Sequence, residues 1–67
     1  DWKPALTAAL AAVVGSQPER ARELVAEARA LRPEMTLALA RRGMREAFAY
    51  PPLAEGAQQL VELGLPR

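Results

Sequence analysis

Cysteine, histidine, isoleucine and asparagine are all absent from this 67-residue chain. No disulfide can form, and the usual zinc ligands are missing. Acyl-transfer chemistry also loses its common base, since a serine or cysteine nucleophile normally stands beside a histidine. Aromatic residues are limited to Trp2, Phe48 and Tyr50, so side chains that favour strands are scarce. Nor is there an excess of one charge: nine Lys and Arg against eight Asp and Glu leave +1. That balance gives no global attraction to nucleic acid or to an anionic membrane. The longest uncharged stretch, residues 4–18, is too short to span a bilayer. The start, Asp1-Trp2-Lys3-Pro4, lacks the basic, apolar and cleavage-site order of a signal peptide. The expected compartment is the cytoplasm, with no membrane partner.

What the chain has is alanine, leucine, arginine and glutamate, all strong helix formers. The composition therefore predicts an all-α chain, and prolines and glycines divide it into four helix-length pieces. The first spans residues 4–14, with Pro4 in its first turn and Leu6, Leu10 and Val13 or Val14 spaced as one apolar stripe. Gly15 is expected to end it as a left-handed terminal residue. Ser16 or Gln17 then caps a second helix, with Pro18 in its first turn and Glu19 favouring the positive end of its dipole. That helix runs to about Leu31, and Pro33 stops it by disfavouring the helical conformation at Arg32. Its apolar face is Ala21, Leu24, Val25, Ala28 and Leu31. Glu19 with Arg22 and Arg20 with Glu23 are spaced to pair on its wet face.

A third helix is expected to begin near Glu34 or Thr36 and reach Ala47, with Leu37, Ala40, Met44 and Phe48 inward. Tyr50-Pro51-Pro52 breaks it, and a fourth follows with Leu53, Ala57, Leu60 and Val61 inward. Gly64-Leu65-Pro66 forms its stop: a left-handed glycine, an apolar residue that folds back, then proline. A stop of this kind so near Arg67 reads as a natural C-terminus, while the missing initial methionine suggests residues removed upstream. Short connections make neighbouring helices antiparallel. The expected architecture is two consecutive helical hairpins in one segment, residues 1–67, with hairpins at 5–33 and 34–67.

The first hairpin resembles a tetratricopeptide repeat, a helix-turn-helix of 34 residues with small residues where its helices touch. Ala8 or Ala9, then Ala21 and Ala28, match those small positions, and Pro33 matches the closing proline. The family's aromatic positions carry alanine here. The remainder is similar to the C-terminal end of bacterial signalling proteins in which such repeats follow an adenylate/guanylate cyclase or winged-helix regulatory domain. The final Leu63-Gly64-Leu65-Pro66 carries much of that likeness. The resemblance implies a scaffold role, with residues 34–67 capping the array, and it transfers no catalytic residue.

No catalytic, cofactor-binding or metal-binding residue is expected. Ser16 is the lone serine and reads as a helix cap. Glu19, Glu23 and Glu27 share a face with arginines, as solvated helices do. Two surfaces stand out. The first helix is apolar at nearly every position from 5 to 14, so it should be covered on more than one side. One side meets the second helix. The other is expected to meet upstream repeats, a second copy or a partner helix, through Trp2, Leu6, Leu10 and Val13. An aspartate at Leu10 should then weaken association and leave the monomer helical. The second surface is Arg41, Arg42 and Arg45, with Arg29 and Arg32 near them. It reads either as an anion or nucleic-acid site or as a charged outer face in which Arg42 pairs with Glu46, the bland reading being favoured. Phe48 and Tyr50 are expected to plug the hairpin junction. The sequence thus points to a non-catalytic protein-interaction segment, with homodimerisation and anion binding as its rivals.

Overall fold

The computed structural model describes residues 1–67, and every regular element in it is helical. α1 spans Lys3–Val14 and α2 spans Pro18–Leu31. The Asp1 carboxylate accepts from the Lys3 N–H at 3.1 Å, which satisfies one of the free amides at the start of α1. Between α1 and α2 the left-handed position falls one residue later than expected. Gly15 keeps φ −82°, and Ser16 takes the left-handed position at φ 60°. The Gln17 N–H donates to the Ala12 carbonyl at 2.8 Å, and the Ser16 N–H to Val13 at 3.1 Å. This is the paired hydrogen-bond pattern that closes many helices, with serine where glycine would be least strained. Ser16 therefore does not cap α2. Gln17 holds that place without a side-chain bond, and Pro18 starts the helix as expected.

α1 and α2 lie against each other as the principal hairpin. Ala9, Ala21 and Ala28 are completely buried, and small side chains of this kind let two helices approach closely. Leu24 and Val25 are buried with them, whereas Leu31, expected inward, is 56% exposed. α2 ends at Arg32, which is extended at φ −142° and ψ 90°, as a residue before proline prefers.

The second half is more broken than its periodicity suggests. α3 covers only Leu37–Gly43 and α4 Arg45–Ala49. They meet at Met44, whose φ −131° and ψ 48° depart from helical values. Hydrogen bonds from the Met44 N–H to Ala40 and from the Phe48 N–H to Met44 continue across it, so the break is a kink. α5, Pro51–Ala54, and α6, Ala57–Glu62, replace the single last helix. Leu37, Ala40 and Met44 are buried as their spacing requires. Thr36 caps α3, its hydroxyl accepting from the Leu39 N–H at 3.1 Å.

α5 and α6 fold back over the α1–α2 hairpin. α6 rests on α1, α2 and α3, and α5 on α1 and α4. The result is nearly isotropic, 26 × 24 × 19 Å, with a Cα radius of gyration of 10.1 Å. A compact chain of this length should measure about 11 Å, so neither half extends away from the other. One core runs through the whole chain. Leu6, Leu10, Val25, Met35, Leu60 and Leu65 are its largest fully buried side chains.

The C-terminus closes the structure in the expected way. Gly64 is left-handed at φ 119°, the Leu65 N–H donates to the Leu60 carbonyl at 2.9 Å, and Leu65 is 1% exposed. Two further bonds hold this end. Arg29 Nη1 donates to the Gly64 carbonyl at 3.1 Å, and the Leu37 N–H donates to the Pro66 carbonyl at 2.6 Å.

Candidate functional site

The apolar side of α1 is occupied by the chain itself. Leu6 and Leu10 are 0% exposed and Trp2 8%, beneath α3, α5 and α6. Val13 is half-buried, and its Cγ1 would lie 3.1 Å from a Cβ built at Gly56. The second covering surface that an alanine-rich helix demands is therefore α5 and α6, folded back from the end of the chain. This corrects the expectation of an open contact face at Trp2, Leu6 and Leu10. A charge at Leu10 would enter the core, where an unpaired carboxylate costs folding energy. What α1 leaves in solvent is Lys3, Pro4, Thr7, Ala11 and Val14, a stripe at helical spacing whose one charge, Lys3, lies at its N-terminal end.

The arginines expected together are divided. Arg41 lies over the Phe48 ring, 5.8 Å from its centroid, and borders a shallow depression with Leu37, Gln58 and Arg67. Arg42 and Arg45 line a different one, whose other walls include Lys3, Thr7 and Glu46. The chain holds two ion pairs, Arg20–Glu23 at 3.2 Å and Arg32–Glu34 at 2.7 Å. The pairs expected for Glu19 with Arg22 and for Arg42 with Glu46 are not formed. Arg29 is engaged with the Gly64 carbonyl.

Lys3 joins this group through packing that local spacing does not disclose. A Cβ built at Gly43 would lie 2.7 Å from Trp2 Cη2 and 2.9 Å from Cζ2. The indole therefore rests on the bare backbone of Gly43. Lys3 follows it, with Cε 3.6 Å from the same point, which places its ammonium beside the kink between α3 and α4. The only signal in the sequence is that Lys3 is the one charged residue between Asp1 and Glu19.

Elsewhere the chemistry is sparse. No polar or charged side chain is buried, and no three Asp or Glu residues gather where a metal ion could be held. Ser16 is exposed, as are Glu19, Glu23 and Glu27. The Glu34 carboxyl is held below the usual glutamate range, first by a backbone hydrogen bond and then by the hydrogen bond from Arg32. Phe48 is half-buried against the core, and Tyr50, expected to plug the junction, is 58% exposed. No helix is long and apolar enough to cross a membrane. Compared with family models, curated proteins and solved structures, the chain has no significant match.

Proposed function

We propose that this chain is a non-catalytic protein-contact segment of a larger cytoplasmic signalling protein, a tetratricopeptide-like hairpin carrying its own folded-back cap. The observation that carries the reading is the outer stripe of α1. Pro4, Thr7, Ala11 and Val14 face solvent with a single charge, Lys3, at the N-terminal end of the stripe, and Val14 is 50% exposed. The solvent side of α2 differs, carrying Glu19, Arg20, Arg22, Glu23, Glu27 and Arg29. A helix face meant for water normally carries such charges. A smooth, small-residue face instead lets a neighbouring helix approach to roughly 8–10 Å between axes. The occupant that fits is the preceding helical hairpin of the same polypeptide, as stacking repeats require.

The absence of histidine and cysteine and of any buried polar side chain supports the non-catalytic part. The αα-hairpin with Ala9, Ala21 and Ala28 at its contact supports the tetratricopeptide-like part.

The test is sedimentation equilibrium of the isolated chain and of Ala11→Arg over a wide concentration range. A stripe shaped for a helical neighbour should accept a second copy when its own neighbour is missing. The average mass of the unsubstituted chain should then rise with concentration, and that of Ala11→Arg should stay monomeric with unchanged circular dichroism. If both remain monomeric to about 1 mM, a concentration at which contacts of about 4 kcal/mol would be visible, the stripe is an ordinary surface and the reading fails.

A further inference from the structure

We propose that the depression between the start of α1 and the α3–α4 kink binds a dianionic phosphate group, as the free ion or as a monoester. Lys3 from α1, Arg42 from α3 and Arg45 from α4 all line it, with the Thr7 hydroxyl as a further donor. Glu46 is the one carboxylate on its walls. Three cations against one carboxylate leave a surplus of two positive charges, which a phosphate group matches near neutral pH. Two guanidinium groups also supply the paired N–H donors that suit phosphate oxygens.

The placement of Lys3 gives this weight. Arg41 and Arg42 occupy the last turn of α3, where cations favour the negative end of a helix. Their presence there needs no ligand. Lys3 sits in the first turn of the 12-residue α1, at the end where a cation is disfavoured, and the Trp2–Gly43 packing carries it toward Arg42. None of Lys3, Arg42 and Arg45 forms an ion pair. The fold therefore sets three cations around one depression, and a bound dianion would meet donors from all three. Arg41, turned over Phe48, lies outside the site. The proposal shares Lys3 and Thr7 with the outer stripe of α1 but does not rest on the protein-contact reading, whose test residue Ala11 lies outside this depression.

The test uses the 67-residue chain, isotopically labelled and with its amino terminus acetylated, titrated with inorganic phosphate at constant ionic strength. Saturable chemical-shift changes are expected at Lys3, Thr7, Arg42 and Arg45. Inorganic phosphate and its monoesters are both largely monoanionic at pH 5.5, so binding there should be several-fold weaker than at pH 7.5. Sulfate, dianionic at both, should bind equally at the two. The groups facing the site are Lys3, Arg42, Arg45 and Glu46, with Asp1 and Arg32 on the adjoining depression. No histidine or cysteine contributes.

Arg42→Ala should weaken binding by about tenfold, the loss of one charged hydrogen-bonding group, and Arg41→Ala by less than about twofold. Phenyl phosphate identifies the source, since tighter binding than inorganic phosphate assigns an ester and equal binding assigns the free ion. Shifts that do not saturate, binding that ignores the charge of phosphate, or equal losses from Arg41→Ala and Arg42→Ala would each overturn the assignment.

Discussion

Gly43→Ala sets two well-measured effects against each other, and the structure decides between them. On helix propensity alone the change should stabilise by about 1 kcal/mol. The new methyl would, however, arrive 2.7 Å and 2.9 Å from two ring atoms of Trp2, where ordinary contact begins at 3.4 Å. The indole is 8% exposed and belongs to the core, so it cannot swing aside as a surface side chain would. It must retreat by roughly 1 Å or leave, and overpacking of this kind costs about 1–3 kcal/mol. Loss of part of the Trp2 burial adds to that. The net expectation is a loss of about 1–2 kcal/mol, or roughly 5–15 °C in melting temperature for a domain of this size.

Trp2 is the only tryptophan, so its fluorescence reports on the same contact, and emission should shift to the red in the folded variant. A double-mutant cycle isolates the cause. Trp2→Leu removes the ring while keeping an apolar side chain, and in that background Gly43→Ala should be neutral or stabilising. A Gly43→Ala chain that melts higher with unchanged emission would refute the reasoning, because the ring would then not be resting on Gly43.

Ser16→Gly should raise stability by about 0.5–1 kcal/mol, since glycine relieves the left-handed backbone at φ 60° and gives back part of the gain as unfolded-chain entropy. Gly64→Ala should lower it by about 1 kcal/mol for the same reason, with no steric clash involved because nothing lies within 4 Å of its Cβ position; urea unfolding measures both. The Glu34 carboxyl should titrate below the ordinary 4.5, and Arg32→Ala should move it upward, as a carbon-detected titration would show. A carboxyl whose value is depressed by folding stabilises the chain above its unfolded value. The small contribution of Glu34 is therefore expected to be present above about pH 4.5 and lost as the pH falls through its folded value.

The parts of the fold that a sequence announces locally are the parts that read correctly. Pro18 and Pro33 bracket α2 through backbone sterics alone, and Gly64 with Leu65 closes α6 through a motif of adjacent residues. The buried faces of α1, α2 and α3 follow from helical spacing, apart from Leu31 at the end of α2, which is exposed. The kink at Met44 and the division at Glu55 and Gly56 sit instead beside distant segments. Gly43 must accommodate Trp2, and Gly56 must accommodate Val13, neither of which is near it in sequence. Distant packing also misled the reading of the surface. An alanine-rich first helix does need a second covering element, but nothing in its spacing says whether that element is a neighbour or the chain's own last helix. Lys3, Arg42 and Arg45 are likewise brought together by a tertiary contact, whereas the run of arginines at 41, 42 and 45 is split by the direction each side chain takes. The turn between α1 and α2 shows a finer limit, since one residue of register moved the left-handed position from glycine to serine.

The bonds at the C-terminal end bear on how this chain folds in time. Helical chains usually fold fast because their contacts are local. Here Trp2 and Leu65 lie in the same core, and the first amide of α3 is satisfied by the Pro66 carbonyl. Almost the whole length must be gathered before that core is closed, and gathering it carries the entropy of a long loop. Segments that close together should also open together. The Leu37 amide, at a helix end that would ordinarily fray, should then exchange with solvent only as slowly as the core opens, giving this small helical chain the all-or-none character of a fold built on distant contacts.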